Sequence, residues 1–138
     1  PLKFEAGTSN YIAAIGLGEA IRYLDTLDPK EVMRHEQQLL EYATEKLQGI
    51  DGLRIYGNQP DKCGIVSFTI DGTHPMDVGM ILDKMGIAVL TGTHCAEPVM
   101  THYGITSMVR ASFALYNDFT DIDRLEAGVQ RAARMLRA

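Results

Sequence analysis

Residues Ile87–Met100 read Ile-Ala-Val-Leu-Thr-Gly-Thr-His-Cys-Ala-Glu-Pro-Val-Met. The β-branched start is typical of a strand, and Gly92 and Pro98 then indicate a loop that carries Cys95. A reactive thiol needs partial exposure and nearby positive charge, which His94 and Arg110 are placed to supply. The alternative is a buried cysteine that acts as a small hydrophobic residue. The residues alone leave both interpretations open.

Composition limits the class of protein. A chain of 138 residues, 46% hydrophobic and 22% charged, is typical of one soluble globular domain, so we expect a single domain over 1–138. A net charge of −5 with scattered basic residues argues against nucleic acid, and no apolar run is long enough to span a membrane. No metal-ligand spacing occurs. Two cysteines in unlike contexts fit a reducing cytoplasm. The start at Pro1 suggests a piece of a longer protein.

Periodicity predicts an α+β fold, which some schemes class as α/β. We expect an antiparallel or mixed sheet of three to four strands with helices packed on one face. Helices are predicted at 10–26, 28–49 and 75–85 and after Thr120, and strands at 53–56, 64–70, from Ile87 and at 107–115. Asp28 should cap the second helix, with His35 solvated on its polar side, and Thr120 should cap the last one. Residues 101–104 read as a polar connection.

The start of the chain, 1–9, reads as an extended arm that ends at a helix. Gly7 precedes three residues that favour N-caps, Thr8, Ser9 and Asn10. Such a helix start is able to hold an anion, although plain capping explains the same residues. Two glycines inside the helix, Gly16 and Gly18, suggest a closely packed neighbour.

Arg110 is predicted in the middle of a strand. Alternation puts Val109 and Ala111 on one face and Arg110 on the other. A buried guanidinium without a partner is unfavourable, so we expect either a structural salt bridge or an anionic ligand.

Three motifs together resemble one family. They are Phe4-Glu-Ala-Gly-Thr8-x-Asn10, Gly86-Ile-Ala-Val-x-Thr-Gly-x-His-Cys95-Ala-x-Pro98 and Arg110-Ala-Ser-x-Ala-x-Tyr-Asn117. In order and spacing they look like the C-terminal part of a SufS-type, or group II, cysteine desulfurase, in the class V aminotransferase branch of pyridoxal-phosphate (PLP) enzymes. The resemblance covers essentially the whole chain and implies the small C-terminal domain of a fold-type I PLP enzyme.

The resemblance also implies roles. In this family the enzyme takes sulfur from L-cysteine as a persulfide, leaves L-alanine, and passes the sulfur on for iron–sulfur cluster assembly. Cys95 resembles the nucleophile and Arg110 the group that binds the substrate carboxylate. His94 matches a residue often found before that cysteine and is expected on the substrate-binding side. Gly7 and Thr8 resemble the pair that reaches the PLP phosphate of the other subunit. The implied protein is a cytoplasmic homodimer with a SufE- or SufU-like sulfur acceptor.

The sequence departs from the family in three places. Leu90 stands where an arginine is usual, and Ser9 replaces a common proline. The Schiff-base lysine of the family follows a histidine motif that none of the five lysines matches. Because the covalent cofactor chemistry needs that amine, we expect the isolated chain to be inactive.

Other functions remain open. A selenocysteine lyase has nearly the same scaffold, and the sequence does not separate the two substrates. A PLP-independent domain that relays persulfide or senses oxidants would need only the thiol. A folded fragment without activity would carry Cys95 as part of a site completed elsewhere.

Overall fold

The computed structural model describes residues 2–4, 6–57, 59 and 62–137. The chain divides into two units, residues 1–33 and 34–138. The helices are α1 (Tyr11–Asp25), α2 (Pro29–Gln48), α3 (Pro75–Lys84), α4 (Glu97–Tyr103) and α5 (Phe119–Leu136), and the strands are β1 (Leu53–Tyr56), β2 (Ile65–Ile70), β3 (Leu90–Gly92) and β4 (Met108–Ser112). The single domain expected from the sequence stays a prediction.

The first unit holds the arm and α1. The arm was expected to be extended, but Leu2–Phe4 form a 3-10 turn; Pro1 and Glu5 lie outside the described residues. The Asn10 side chain caps α1 by accepting a hydrogen bond from the Ala13 amide at 3.1 Å. The close neighbour expected at Gly16 and Gly18 is not found in the described part of the chain, because a Cβ on either glycine would have no atom within 4 Å.

Helix α1 is rich in apolar residues, yet none of its residues is buried. Its exposed large side chains are Tyr11, Ile12, Ile15, Leu17, Ile21, Tyr23 and Leu24. A helix with this composition is normally covered by other protein, and an exposed apolar surface of this kind favours association.

Helix α2 begins where the sequence predicts. Pro29 is its first residue, and the Asp28 carboxylate accepts a hydrogen bond from the Lys30 amide at 2.9 Å. The prediction that His35 is solvated is wrong. Its half-buried ring donates from Nε2 to the Asn117 carbonyl at 2.9 Å, since a carbonyl oxygen only accepts.

The sheet is antiparallel throughout, in the order β1-β2-β4-β3. One face is the main core. The buried side chains that it presents are Val66, Phe68, Ile70, Val109 and Ala111. Helices α2, α3 and α5, together with Ile50 just after α2, supply the other buried apolar residues of this core. The predicted α+β class, with a small sheet and helices on one face, is confirmed.

Two helix boundaries differ from the prediction. The region expected to be a polar connection belongs to α4, where Pro98 lies in the first turn and tolerates its missing N–H. Gly104, in the left-handed conformation with φ 67°, ends that helix. Helix α5 is capped by Asp118, which forms a capping box with Asp121, rather than by Thr120.

Within the described residues, no helix is both long enough and apolar enough to cross a bilayer.

The apolar surface of α1 leads to a prediction about self-association. The purified chain should form oligomers in sedimentation experiments, because several exposed side chains of α1 gain by leaving water. The double substitution Ile12→Glu with Ile15→Glu should shift the chain toward monomer. Met135→Glu is the matched control, since Met135 is an exposed apolar residue on α5. A wild-type chain that sediments as one monomeric species would contradict this prediction.

Candidate functional site

Cys95 lies on a tight turn directly after β3. The Ala96 amide donates to the Thr93 carbonyl at 2.9 Å, and both central residues have positive φ, 55° at His94 and 54° at Cys95. This combination is the signature of a type I′ turn, which usually contains glycine or asparagine. Non-glycine residues in the left-handed region cost about 1–2 kcal/mol each. The Cys95 thiol is free and exposed, so the buried, purely structural alternative is wrong for this residue.

The strand before the turn is shorter than predicted. It was expected to begin at Ile87, but β3 covers only Leu90–Gly92. Ile87 and Val89 pack against the main core instead of joining the ladder. Only three residue pairs therefore join β3 to β4.

His94 connects the turn to the sheet. Its Nε2 lies 3.2 Å from the Met108 carbonyl oxygen, and Met108 is the residue paired with Gly92 at the end of the ladder. Since the carbonyl oxygen only accepts, Nε2 carries the hydrogen and donates. The other ring nitrogen, Nδ1, is buried and has no hydrogen-bond partner in the described part of the chain.

Arg110 lies on the sheet face opposite the main core. Paired residues place four side chains in one row across this face, in the order Tyr56, Ser67, Arg110, Leu90. Leu90, the residue at the usual arginine position, is thus the direct neighbour of Arg110 and is 49% exposed. Sequence reasoning missed Ser67, because the strand order is needed to place it beside Arg110.

The salt bridge considered for Arg110 is not present in the described residues. No described carboxylate lies within ion-pair distance of its guanidinium. Its Nε atom is buried and makes no hydrogen bond to any described residue. Native proteins normally satisfy such atoms, so this group is suited to an anionic partner.

Three buried polar atoms without partners among the described residues belong to segments next to β3 and β4. They are His94 Nδ1, Ser107 Oγ and Arg110 Nε, all on the Cys95 turn or on β4 and the residue before it. Among the described residues only Lys62 Nζ shares this status. Ser107 was not predicted as a site residue, and a lone serine before a strand gives no sequence signal that would find it.

Gly7 and Thr8 lie in the first unit and are exposed. Asn10 performs the capping of α1, so the Thr8 hydroxyl is not needed for that purpose. A Cβ at Gly7 would meet no described atom within 4 Å. Both residues are thus accessible, and their assignment to a phosphate site remains a prediction.

One lysine, Lys62, lies in the connection shortly before β2. Its Nζ is buried without a partner among the described residues, and this burial lowers the pKa of the ammonium group. The nearby Cys63 thiol has a smaller, opposite effect on that pKa.

In the described residues no three side chains of the His, Cys, Asp and Glu types come together as a metal site.

Two surface cavities, of about 470 and 240 Å³, lie elsewhere in the second unit. None of Cys95, His94 and Arg110 lines either of them. The three residues lie at the β3–β4 edge, where Cys95 is exposed and His94 and Arg110 are half-buried.

Comparisons with known proteins place the chain in one family. The model of the aminotransferase class-V family matches residues 1–125, and the chain belongs to that family. A cysteine desulfurase from Serratia proteamaculans is 46% identical over 136 residues, which are 99% of this chain and 33% of the relative.

Solved structures agree with this assignment. The apo cysteine desulfurase of Thermococcus onnurineus matches with a TM-score of 0.90 and 38% identity, over 99% of this chain and 34% of that one. The S-sulfonic acid form of the cysteine desulfurase CsdA of Escherichia coli matches with a TM-score of 0.91 and 34% identity, at the same coverage. The chain thus spans about a third of the length of these relatives.

The unpartnered guanidinium leads to a stability prediction. Arg110→Met should leave the free energy of unfolding unchanged or raise it by about 1 kcal/mol, because it removes a partly buried charge that has no counter-ion among the described residues. A structural salt bridge would instead make the substitution cost about 3–5 kcal/mol. Urea denaturation followed by circular dichroism measures the difference. Arg54→Met is the control, since Arg54 is an exposed arginine on the same sheet.

Proposed function

We propose that this chain is the C-terminal part of a PLP-dependent cysteine desulfurase. In this proposal Cys95 accepts sulfur from L-cysteine as a persulfide and L-alanine is released. The observation that carries it is the exposed Cys95 thiol on a left-handed turn, at one end of the strand pair that carries Arg110, a side chain with no partner among the described residues. The 46% identity to a cysteine desulfurase over nearly the whole chain supports it.

Cys95 is the nucleophile. Its thiolate attacks the substrate sulfur, an S–S bond forms, and the carbon–sulfur bond of the substrate breaks. The electron pair of the broken bond remains on the substrate carbon, which takes up a proton to become the methyl group of alanine. PLP, when bound, supplies the electron withdrawal that makes this cleavage possible. The exposure of the thiol suits it to pass the sulfur to an acceptor protein afterwards.

Arg110 binds the substrate carboxylate. A guanidinium and a carboxylate form a strong, charge-assisted pair, and such a pair would give Arg110 the anionic partner that it lacks in the described residues. Leu90 contributes no charge beside it, so Arg110 is the one cation of the row that also contains Tyr56 and Ser67. This arrangement would orient the substrate without a second arginine from this strand.

Gly7 and Thr8 are the residues of this chain that would hold the PLP phosphate, through backbone N–H groups and the Thr8 hydroxyl. We further propose that they serve the other subunit of a cytoplasmic homodimer, and that the sulfur supplies iron–sulfur cluster assembly. The lysine that binds PLP would lie outside this chain. The chain alone would then be inactive.

A second function is favoured by one observation. Because the Cys95 thiol is free and exposed, it has the access required to accept sulfur without any cofactor. A PLP-independent persulfide relay is therefore the competing proposal, and an experiment in a complete enzyme separates the two.

A chimera tests the proposed function. This chain replaces the matching C-terminal third of the Serratia proteamaculans cysteine desulfurase, and alanine formation from L-cysteine is measured. The chimera should be active and should carry a persulfide on Cys95. Cys95→Ser should lower the rate by about a hundredfold or more, because the nucleophile is lost. Cys63→Ser is the matched control, since Cys63 is also free and exposed, and it should leave the rate unchanged.

A folded chimera that binds PLP but forms no alanine would contradict the desulfurase proposal. If the isolated chain then still took up sulfur from inorganic polysulfide at Cys95 and not at Cys63, the relay would replace it.

A further inference from the structure

We propose that His94 is a positioning residue: its hydrogen bond to the Met108 carbonyl holds Cys95 in the left-handed turn and so keeps the thiol exposed. The inference rests on the proposed function only in taking Cys95 as the reacting group. It gives His94 a role that acts through the backbone, whereas the family resemblance implies a place on the substrate-binding side.

The turn needs such support. Both of its central residues have positive φ without being glycine, so an isolated turn of this sequence would relax to other backbone conformations. Within the turn, one backbone hydrogen bond, from Ala96 to Thr93, opposes that relaxation. Strained backbone persists where the surrounding structure holds it in place.

The surrounding structure holds the turn at both ends. On one side, the bond from His94 Nε2 continues the β3–β4 ladder just beyond its last backbone pair, Gly92 with Met108. On the other side, α4 begins at Glu97 and buries Met100 in a cluster with Tyr56 and Met108. Both attachments reach Met108. Cys95 lies exposed between them.

The ring of His94 is poorly placed to act on the thiol directly. Its Nε2 hydrogen is engaged by the Met108 carbonyl, and its Nδ1 atom is buried, whereas the Cys95 thiol is exposed. Its observed contact is with the protein backbone. The geometry therefore favours a conformational role over proton transfer.

Three substitutions at one position test the proposal in the 138-residue chain. The amide nitrogen of glutamine lies about where Nε2 lies in histidine, so H94Q keeps a donor for the Met108 carbonyl. Asparagine tolerates left-handed backbone but is too short to reach that carbonyl, so H94N keeps the backbone preference and loses the bond. H94A loses both.

Two readouts report the turn. The Cα and Cβ chemical shifts and the amide–Hα coupling of Cys95 report its φ angle. The rate of alkylation by iodoacetamide, resolved by peptide mass spectrometry, reports exposure of the thiol, and Cys63 in the same molecule is the internal control. H94N and H94A should lose the left-handed signature and lower the Cys95 rate about fivefold relative to Cys63, the effect expected from one hydrogen bond. H94Q should retain both properties.

Several outcomes would overturn the proposal. H94N could keep the signature and the rate, which would mean that the bond is not required. H94Q could fail as H94N does, which would assign the effect to the ring and not to the donor. If the alkylation rates of Cys63 and Cys95 both rise in H94N, the substitution unfolds the chain instead of releasing the turn. If H94A unfolds and H94N does not, the result with H94N alone decides whether the hydrogen bond holds the turn.

The assay is independent of desulfurase activity. If H94N keeps the left-handed signature and the alkylation rate of Cys95 while the chimera is active, only the positioning role is removed. An inactive chimera with the expected alkylation pattern would remove the desulfurase proposal and leave the turn explained.

Discussion

The pairing of β3 with β4 is the interaction on which the candidate site depends. Three residue pairs set Leu90 beside Arg110 and Gly92 beside Met108. The first pair fixes the neighbour of the guanidinium, and the last fixes where the Cys95 turn begins. Because β4 also pairs with β2 over the main core, the position of this edge is determined by Val109 and Ala111, which are buried in that core. The candidate site is thus attached to the main core through β4.

The site retains features that reduce stability. Two non-glycine residues have left-handed backbone, and three buried polar atoms lack partners among the described residues. Each of these costs free energy in the isolated chain. A substrate carboxylate, a cofactor or the rest of a longer enzyme would supply the missing partners. Local features that lower the stability of the folded chain are typical of functional sites.

Alternation in β2 and β4 was sufficient to predict the buried face of the sheet and the exceptional position of Arg110. Other features depend on information that the sequence does not carry locally. Pro98 was interpreted as part of a loop. Proline is common both in loops and in the first turn of a helix, and the structure places Pro98 in the first turn of α4. Ser67 joins the Arg110 row only once the strand order is known. The two central residues of the left-handed turn are not glycines, so no local residue type in the sequence indicates that turn.

The central claim is that this chain supplies the nucleophile and substrate-binding residues of a PLP site but not its lysine. The most direct measurement adds PLP to the purified chain, removes the excess by desalting, and records visible absorption before and after borohydride. The claim predicts no stoichiometric, reducible adduct on any one lysine. An adduct that survives desalting, is bleached by borohydride and maps to a single lysine would contradict it. Lys62 is the residue to inspect first, because burial lowers the pKa of its ammonium group.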